Sequence, residues 1–413
     1  MKILFILGTY LPKASANGIC VMNLIQELKK SGHEIHCLCW DNIGLEKEDI
    51  DEVHIERVKV SNKYKAETYE PLNRMEYKMV SVCDRLLASI CLPLYPNHHI
   101  GLSKRMMNKG LNMMEKYRYD CVVSVFQPFD ALYAGYEIKR RYPNKKWILY
   151  YLDVFSGGVK PSVFTEKKFF EKTFRWERRF MESCDCAIIM DSYKKHYTRK
   201  EFNVFEEKIR YADFPLLNGN TEFKERDNVK QVTNFLLAGK IDYAMRNPEY
   251  LLNLMEQVLK IIPSHFDFCG TLDWFDLLKK FENKVGDKFT YHGKVDYCTA
   301  QEMESEADVV INIGNSFAGA VPSKIFSYMA KGKMILHISP NDNDSSIIYL
   351  KEYPKALIIR ETDMINDELI SKIQGFIEKN SSMVINSENL KRIFEKNIPQ
   401  YTSNIIEKCL ENK

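Results

Sequence analysis

Short apolar runs alternate with helical patterns along the whole chain. In the first half, apolar runs lie at 2–7, 34–40, 119–125, 146–152 and 185–190. Between these runs, apolar residues recur with a helical period at 18–30, 72–92 and 102–117. Strands that alternate with helices in this way predict a parallel sheet covered by helices on both faces.

A second alternating series begins near residue 233. Its apolar runs lie at 233–241, 265–270, 288–293, 307–313, 334–338 and 356–359, and the clearest helical patterns lie at 247–261 and 322–331. The chain of 413 residues is long enough for two domains of about 200 residues each. The sequence therefore predicts an α/β protein with two doubly wound Rossmann-like domains that face each other across a cleft.

A polar stretch separates the two series. It contains Pro215, Gly219 and a cluster of charged residues, which is typical of a linker. We expect an N-terminal domain at 1–215, a linker at 216–229 and a C-terminal domain at 230–390. The remaining residues, 391–413, form a C-terminal helix that either stays with the second domain or crosses back to the first.

The charge balance is close to neutral but uneven. A net charge of +3 does not favour nucleic acid as a partner. Between 101 and 210, however, 23 Lys and Arg stand against 14 Asp and Glu. This excess suits an anionic membrane surface or a phosphate-bearing substrate, and scattered solvated lysines explain it equally well. In the basic, aromatic segment 166–182, the rings either lie in a lipid interface or form the core face of a helix.

Several other classes of protein do not fit the sequence. The apolar part of residues 1–7 spans about five residues, shorter than the apolar region of a secretory signal, and predicts a buried strand. Charges and a proline interrupt 79–95, which falls short of the roughly 20 apolar residues of a membrane span. The 11 cysteines form no CxxC pair, so neither a zinc site nor a disulfide framework is expected. These features predict a cytoplasmic protein that is soluble or peripheral to the inner face of the plasma membrane.

The clearest candidate site lies after the apolar run 307–313, at Val321-Pro322-Ser323-Lys324. Pro322 suits the first turn of a helix, where its missing N–H is not needed. The following amides, the Ser323 hydroxyl and the Lys324 ammonium can then bind an anion at the positive end of the helix dipole. A diphosphate fits this description.

The segment 312–336 resembles the donor-site motif of GT-B-fold glycosyltransferases, especially the retaining family 4, whose motif has the form P-S-K-x-x-E-Y-M-A-x-G-K-P-x-L. The resemblance implies two basic residues after the first strand of the C-terminal domain, both contacting the donor diphosphate. Gly239-Lys240 and Arg246 occupy these places. It implies no metal and no other cofactor, because basic residues and helix amides stabilise the leaving phosphate.

Two carboxylates of the family motif are replaced here. Ser327 stands where a glutamate contacts the ribose, and Gly319 stands where a glutamate lies near the transferred sugar. A serine can still hydrogen-bond a ribose hydroxyl, and the amides around Gly319 can still face the sugar. Glu304 is expected on the far side of the preceding strand, away from this site.

The first half contributes two further candidates. Gly18 belongs to the loop 8–18, which matches the position of the family's glycine-rich loop facing the donor phosphates and the acceptor. Asp153 ends the run 146–152 and points toward the expected cleft. Asp153 is either an acceptor-side or catalytic residue, as the resemblance implies, or the cap of a helix.

The resemblance implies a retaining hexosyltransferase that moves a sugar from a UDP-sugar or GDP-sugar to a glycan or lipid-linked glycan, in synthesis of a bacterial surface polysaccharide. Two alternatives remain open. The missing glutamates are also expected in an idle partner subunit, and a nucleotide-sugar epimerase can share this fold and donor site.

Overall fold

The computed structural model describes residues 1–60, 79, 82, 92–97, 99–158, 160–161, 163–217, 232–241, 246–272, 275–317 and 319–411. The chain divides into two compact units. One unit comprises Met1–Pro215 and Ile398–Lys413, and the other comprises Leu216–Asn397. The helix predicted at 72–92 lies outside the described residues except for 79, 82 and 92, and so does most of the predicted linker.

The first unit is built on an eight-stranded sheet in the described part of the chain, with the order β3-β4-β2-β1-β5-β6-β7-β8. The strands are β1 Lys2–Ile6, β2 Glu34–Trp40, β3 Lys47–Ile50, β4 Val53–Val58, β5 Cys121–Phe126, β6 Lys146–Tyr151, β7 Cys186–Met190 and β8 Ile209–Ala212. All neighbouring strands are parallel except β3 and β4. The helices between them are α1 Ala16–Lys30, α2 Ile100–Tyr117, α3 Phe129–Arg141, α4 Glu166–Ser183 and α5 Lys194–Tyr197.

The second unit has a six-stranded parallel sheet among its described residues, with the order β11-β10-β9-β12-β13-β14. Its strands are β9 Thr233–Ile241, β10 Ser264–Leu272, β11 Phe289–Gly293, β12 Val309–Ile313, β13 Met334–Ser339 and β14 Ala356–Arg360. Its helices are α6 Glu249–Ile261, α7 Phe275–Val285, α8 Tyr297–Glu306, α9 Lys324–Ala330, α10 Ile347–Leu350, α11 Asp367–Asn380 and α12 Ser387–Ile393. The last helix, α13 Pro399–Glu411, packs against α1 and the β6–β8 edge of the first unit. Short 3-10 helices lie at Leu92–Leu94, Asp191–Tyr193, Asn203–Lys208, Gly286–Lys288 and Glu395–Asn397.

The central strands are buried on both faces, which is why their sequences are continuous apolar runs. All five residues of β12 and all six of β13 are buried. On α6, the apolar side chains Leu251, Leu254 and Met255 are fully buried against the same core as Phe266 of β10. Each such side chain stabilises the fold by about 2 kcal/mol through removal of apolar surface from water. The prediction of two doubly wound α/β sheets is thus confirmed.

Three strands were not predicted from the sequence. The antiparallel strand β3 has the polar sequence Lys-Glu-Asp-Ile at the edge of the sheet, where one side of the strand meets solvent. β8 has only four residues and contains Arg210, and β4 contains Glu56 and Arg57. β3 and β8 are the two edge strands of the described sheet and β4 lies between β3 and β2. All three lack the continuous apolar run that identifies a central strand, so their pairing depends on the neighbouring strand.

The aromatic side chains of α4 pack inside the first unit. Phe170 stacks on Phe174 with ring centroids 5.2 Å apart, and Phe174 contacts Phe202 at the same separation. Trp176 contacts Phe129 at 5.4 Å. These rings therefore serve as a core face, while Lys167, Lys168, Arg175, Arg178 and Arg179 are exposed. Within the described residues, every helix is too short or too polar to cross a membrane.

Each sheet contains one place where the order of strands along the chain reverses. In the second sheet the chain first builds outward from β9 to β10 and β11, and then returns to place β12 on the other side of β9. In the first sheet the equivalent place lies between β1 and β5. Loops leaving the two strands at such a point diverge, so the carboxyl edge there is the usual ligand site of a doubly wound fold.

Two neighbouring glycines bring β9 and β10 unusually close at this edge. Gly239 and Gly270 are register partners, with φ of 129° and 149°. A Cβ atom on Gly270 would lie 1.8 Å from the carbonyl oxygen of Gly239, which is far inside van der Waals contact. A side chain at position 270 would therefore displace the end of β9.

We expect Gly270→Ala to lower the free energy of unfolding by about 3 kcal/mol, because it adds both a steric clash and an unfavourable φ. Gly375→Ala is the matched control, since a Cβ at this position of α11 meets no atom within 4 Å. The control should be neutral or slightly stabilising, as alanine favours helix. Urea unfolding of both variants measures this, and equal stability of the two would contradict the close approach of β9 and β10.

Candidate functional site

Arg246 is fixed to the loop that follows β12. Its Nε donates a hydrogen bond of 2.7 Å to Oδ1 of Asn315, and the Asn315 amide nitrogen donates one of 2.9 Å to the carbonyl of Ala320. Arg246 precedes α6, whereas Asn315 lies just beyond β12. The structure therefore brings a predicted diphosphate-binding residue to the strand-order reversal of the second sheet. Asn315, which is buried, was not identified from the sequence.

The glycine at the end of β9 lies beneath the side chain of Lys324. A Cβ on Gly239 would be 3.7 Å from Cε of Lys324, which is ordinary van der Waals contact. The next residue, Lys240, is exposed. Gly239, Arg246 and Lys324 are thus gathered at one edge of the sheet, and Lys240 is the second-last residue of β9.

The helix after the glycine-containing loop begins later than expected. α9 starts at Lys324, not at Pro322, because the preceding turn closes with shorter-range bonds. The amide of Ile325 donates to the carbonyl of Pro322, and that of Phe326 donates to Ser323. In the part of the chain that the structure describes, the amides of Ser323 and Lys324 have no hydrogen-bond partner. These two amides, at the positive end of a seven-residue helix, remain available to an anion.

The Lys324 ammonium is paired with a buried carboxylate. Its Nζ lies 2.9 Å from Oε1 of Glu304, and Nζ of Lys331 lies 2.7 Å from the other carboxylate oxygen. Burial opposes ionisation of Glu304, but the two lysines outweigh it and hold its pKa below the usual value. The expectation that Glu304 lies away from this site was wrong. Helix α8 packs against β9, so its last turn reaches the side of the sheet where α9 begins.

The two positions that replace the family's glutamates already have partners. The Ser327 hydroxyl donates to the carbonyl of Lys324 at 2.8 Å, which leaves its oxygen as an acceptor. Gly319 has a positive φ of 89°, and its amide donates to Oγ of Ser345 at 2.7 Å. Val321 and Pro322 are buried and anchor the loop. Direct contact of a ligand with the Gly319 amide would require Ser345 to give way.

In the first unit, Asp153 lies beside the loop that follows β1. Nδ2 of Asn17 donates to Oδ2 of Asp153 at 3.1 Å, and the same nitrogen lies 3.5 Å from the carbonyl of Phe126 at the end of β5. Burial raises the pKa of Asp153, and the hydrogen bond from Asn17 opposes this shift. The structure thus brings Asp153 to the strand-order reversal of the first sheet. Asn17 was not singled out from the sequence.

Gly18 is required by the packing of this loop. A Cβ at position 18 would be 2.3 Å from the carbonyl oxygen of Thr9. The Gly18 amide is bound by the hydroxyl of Ser15, which caps the start of α1 at 3.3 Å. The close approach to Thr9 accounts for the glycine within the unit itself, and its role toward a donor phosphate stays a prediction.

A buried carboxyl supports the segment that follows Asp153. The Tyr197 hydroxyl donates to Oε1 of Glu177 at 2.6 Å, and the amide of Phe155 donates to the same hydroxyl at 3.5 Å. Burial raises the pKa of Glu177 to about 7, against the lowering effect of hydrogen bonds from Ser156 and Tyr197. Glu177 therefore changes its protonation state near neutral pH in the folded chain.

The fold is similar to those of several solved proteins. The catalytic domain of starch synthase IV from Arabidopsis thaliana, bound to ADP and acarbose, has a TM-score of 0.59 at 8% identity, covering 99% of this chain and 98% of that chain. HepE of Anabaena with UDP-glucose has a TM-score of 0.59 at 10% identity, covering 99% of both. UDP-GlcNAc 2-epimerase from Methanocaldococcus jannaschii has a TM-score of 0.58 at 13% identity, covering 99% and 100%.

No family model matches the chain, and no curated protein matches its sequence. At identities of 8–13%, the similarity establishes the fold alone. The chain therefore has the two-unit Rossmann-like fold of GT-B glycosyltransferases, and membership of family 4 stays a prediction.

We expect Glu304→Gln to destabilise the second unit by about 3 kcal/mol, because it removes the anion between two partly buried lysines. Glu302→Gln is the control, since Glu302 is exposed on the same helix. Chemical denaturation of each variant gives the comparison. A Glu304 variant as stable as the control would show that the ion pairs contribute nothing.

A second prediction concerns pH. The pKa of Glu177 is higher in the folded chain than its ordinary value of 4.5, so the stability this group contributes is complete below pH 4.5 and is lost as pH rises to about 7. Glutamine cannot ionise. Glu177→Gln should therefore gain stability relative to the wild type between pH 5 and pH 8, by on the order of 2 kcal/mol.

Thermal unfolding midpoints at the two pH values test this expectation. Glu182→Gln, an exposed carboxyl of the same helix, is the control and should show no such gain. If Glu177→Gln and Glu182→Gln respond to pH alike, Glu177 does not carry a raised pKa.

Proposed function

We propose that the chain is a retaining glycosyltransferase that moves a sugar from a UDP-sugar or GDP-sugar to a glycan or lipid-linked glycan acceptor. The observation that carries this proposal is the gathering of Gly239, Arg246 and the loop 314–323 at the strand-order reversal of the second sheet. This edge is where doubly wound folds bind nucleotides. The similar folds of HepE with UDP-glucose and starch synthase IV with ADP support the same ligand class.

In this proposal Arg246 and Lys240 stabilise the leaving diphosphate. A guanidinium carries five N–H donors, and the bond to Asn315 fixes its direction while using one of them. Lys240 is exposed and adds a second positive charge. The amides of Ser323 and Lys324 supply neutral donors on the same edge. Charge that grows on the departing phosphate is thereby met by preorganised donors.

The remaining donor-site residues take supporting roles. Because Glu304 balances the charge of Lys324, the Lys324 side chain shapes the site above Gly239 and adds little positive charge for the diphosphate. Ser327 accepts a hydrogen bond from a ribose hydroxyl, because its own proton is already donated within α9. Gly319, Val321 and Pro322 shape the loop.

Asp153 is proposed as an acceptor-side residue. It lies at the carboxyl end of the first sheet, and its raised pKa suits a group that exchanges a proton with a sugar hydroxyl.

We propose that basic residues and amides, and no metal ion, balance the phosphate charge. We further propose that the reaction takes place in the cytoplasm at the inner face of the membrane, where the exposed basic residues of α4 meet anionic lipid and the product enters a surface polysaccharide.

The epimerase alternative is favoured by one observation, the similar fold of UDP-GlcNAc 2-epimerase. An epimerase needs acid and base groups around the sugar ring, yet Glu304 is committed to two lysines. Incubation with nucleotide sugars and no acceptor distinguishes an epimerase from a glycosyltransferase. A new nucleotide sugar indicates an epimerase, whereas release of UDP or GDP with a free sugar indicates a transferase.

A panel of UDP-sugars and GDP-sugars, with and without EDTA, tests the proposal directly. Turnover that survives EDTA supports the metal-free chemistry, and the anomeric configuration of the product tests retention. An idle partner subunit would bind neither UDP nor GDP in calorimetry.

Arg246→Ala and Lys240→Ala should each lower kcat/KM by about 100-fold, the usual effect of removing a donor that stabilises the transition state. Lys260→Ala is the charge-matched control. Lys260 lies in the last turn of α6, which leads into the amino end of β10, so it sits at the opposite edge of the same sheet. The control should keep full activity. Wild-type rates in Arg246→Ala would overturn the assignment.

A further inference from the structure

Three buried polar side chains form a hydrogen-bonded chain beneath the loop that holds Arg246. Asn312 of β12 and His337 of β13 are register partners, and their side chains are 2.8 Å apart, from Nδ2 of Asn312 to Nδ1 of His337. The other ring nitrogen, Nε2, lies 2.8 Å from Oδ2 of Asp344. The side chains of His337 and Asp344 are fully buried. Nothing in the sequence motif pointed to this chain.

The hydrogen bonds fix the direction of this chain. Because the Asn312 amide nitrogen donates, Nδ1 of His337 accepts and Nε2 carries the proton that is donated to Asp344. The other carboxylate oxygen of Asp344 accepts the amide of Ser346 at 2.9 Å. Both oxygens of Asp344 are therefore satisfied, which a buried carboxylate requires.

The turn 344–346 touches both ends of the loop 314–319. At one end, a Cβ on Gly314 would lie 1.8 Å from Oδ2 of Asp344, so the carboxylate occupies the space beside that glycine. At the other end, the Gly319 amide donates to Oγ of Ser345 at 2.7 Å. Between these ends, Asn315 holds Arg246. The turn thus acts as a brace for the loop.

From this connectivity we propose that His337, Asp344 and Ser345 are positioning residues of the donor site, which hold Gly314 and Gly319 in place so that Asn315 directs Arg246 at the donor diphosphate. This inference rests on the proposed function for its ligand, a nucleoside diphosphate. The bracing itself is a property of the chain without ligand, so it can be tested separately.

Ser345→Ala removes the hydrogen bond to Gly319 and leaves the buried chain intact. His337→Phe replaces the imidazole with a phenyl ring, which fills the space but removes both hydrogen bonds. His337→Gln retains an amide donor that can reach Asp344. Asn343→Ala, at the exposed residue directly before the turn, is the matched control.

The first measurement is hydrogen exchange of the loop amides in the free protein. Exchange around Gly319 should be roughly 10-fold faster in Ser345→Ala, the value of one hydrogen bond of ordinary strength, and unchanged in Asn343→Ala. His337→Phe should have a larger effect, and His337→Gln should restore part of the protection. Unchanged exchange in both Ser345→Ala and His337→Phe would overturn the proposal.

The second measurement is a double-mutant cycle on donor turnover. Ser345→Ala should lower kcat/KM by about 10-fold in the wild-type background and have little effect in Arg246→Ala, because both changes act through the same guanidinium. Additive effects would contradict the proposal. A wild-type protein that neither binds UDP or GDP nor turns over a donor would contradict the proposed function. In that case the hydrogen-exchange measurement alone would test whether the turn holds the loop.

Discussion

The reversal of strand order between β9 and β12 is the constraint on which the candidate donor site depends. Parallel strands require crossover connections, and these run in opposite directions from β9 and from β12. The loops at the carboxyl ends therefore separate and leave backbone groups exposed between them. Gly239 and Arg246 follow the course of β9 to this edge, and Gly314 and Asn315 reach it directly after β12.

The electrostatics of the site depend on a buried carboxylate as much as on the basic side chains. Glu304 of α8 forms ion pairs with Lys324, at the start of α9, and with Lys331, directly after it. These pairs hold α9 to α8 and balance the charge of the buried carboxylate. Arg246 donates instead to a neutral amide, Asn315, which fixes the direction of its guanidinium. A guanidinium suits a diphosphate because its planar set of N–H donors matches the geometry of phosphate oxygens. The two basic side chains thus differ in role although both lie at the same edge.

The fold was largely predictable because burial on both faces of a parallel sheet forces continuous apolar runs. β2 and β9 have the predicted bounds, and most other central strands differ by one or two residues. The polar edge strand β3 was not predicted, since half of its surface is solvated and carries no apolar signal. The start of α9 was placed two residues early because Pro322 and Ser323 suit a helix start by type, whereas a tighter turn precedes the helix.

The sequence by itself determined two doubly wound α/β units, a glycine near the end of β9, and the basic and Pro-Ser-Lys residues of a candidate diphosphate site, because these depend on residue type and spacing. Only the tertiary structure decided that Lys324 is neutralised by Glu304, that Gly18 packs against Thr9, and that His337, Asp344 and Ser345 brace the loop of Arg246. Such contacts join residues from different elements, and their distances are fixed by how strands and helices pack, which local sequence does not specify.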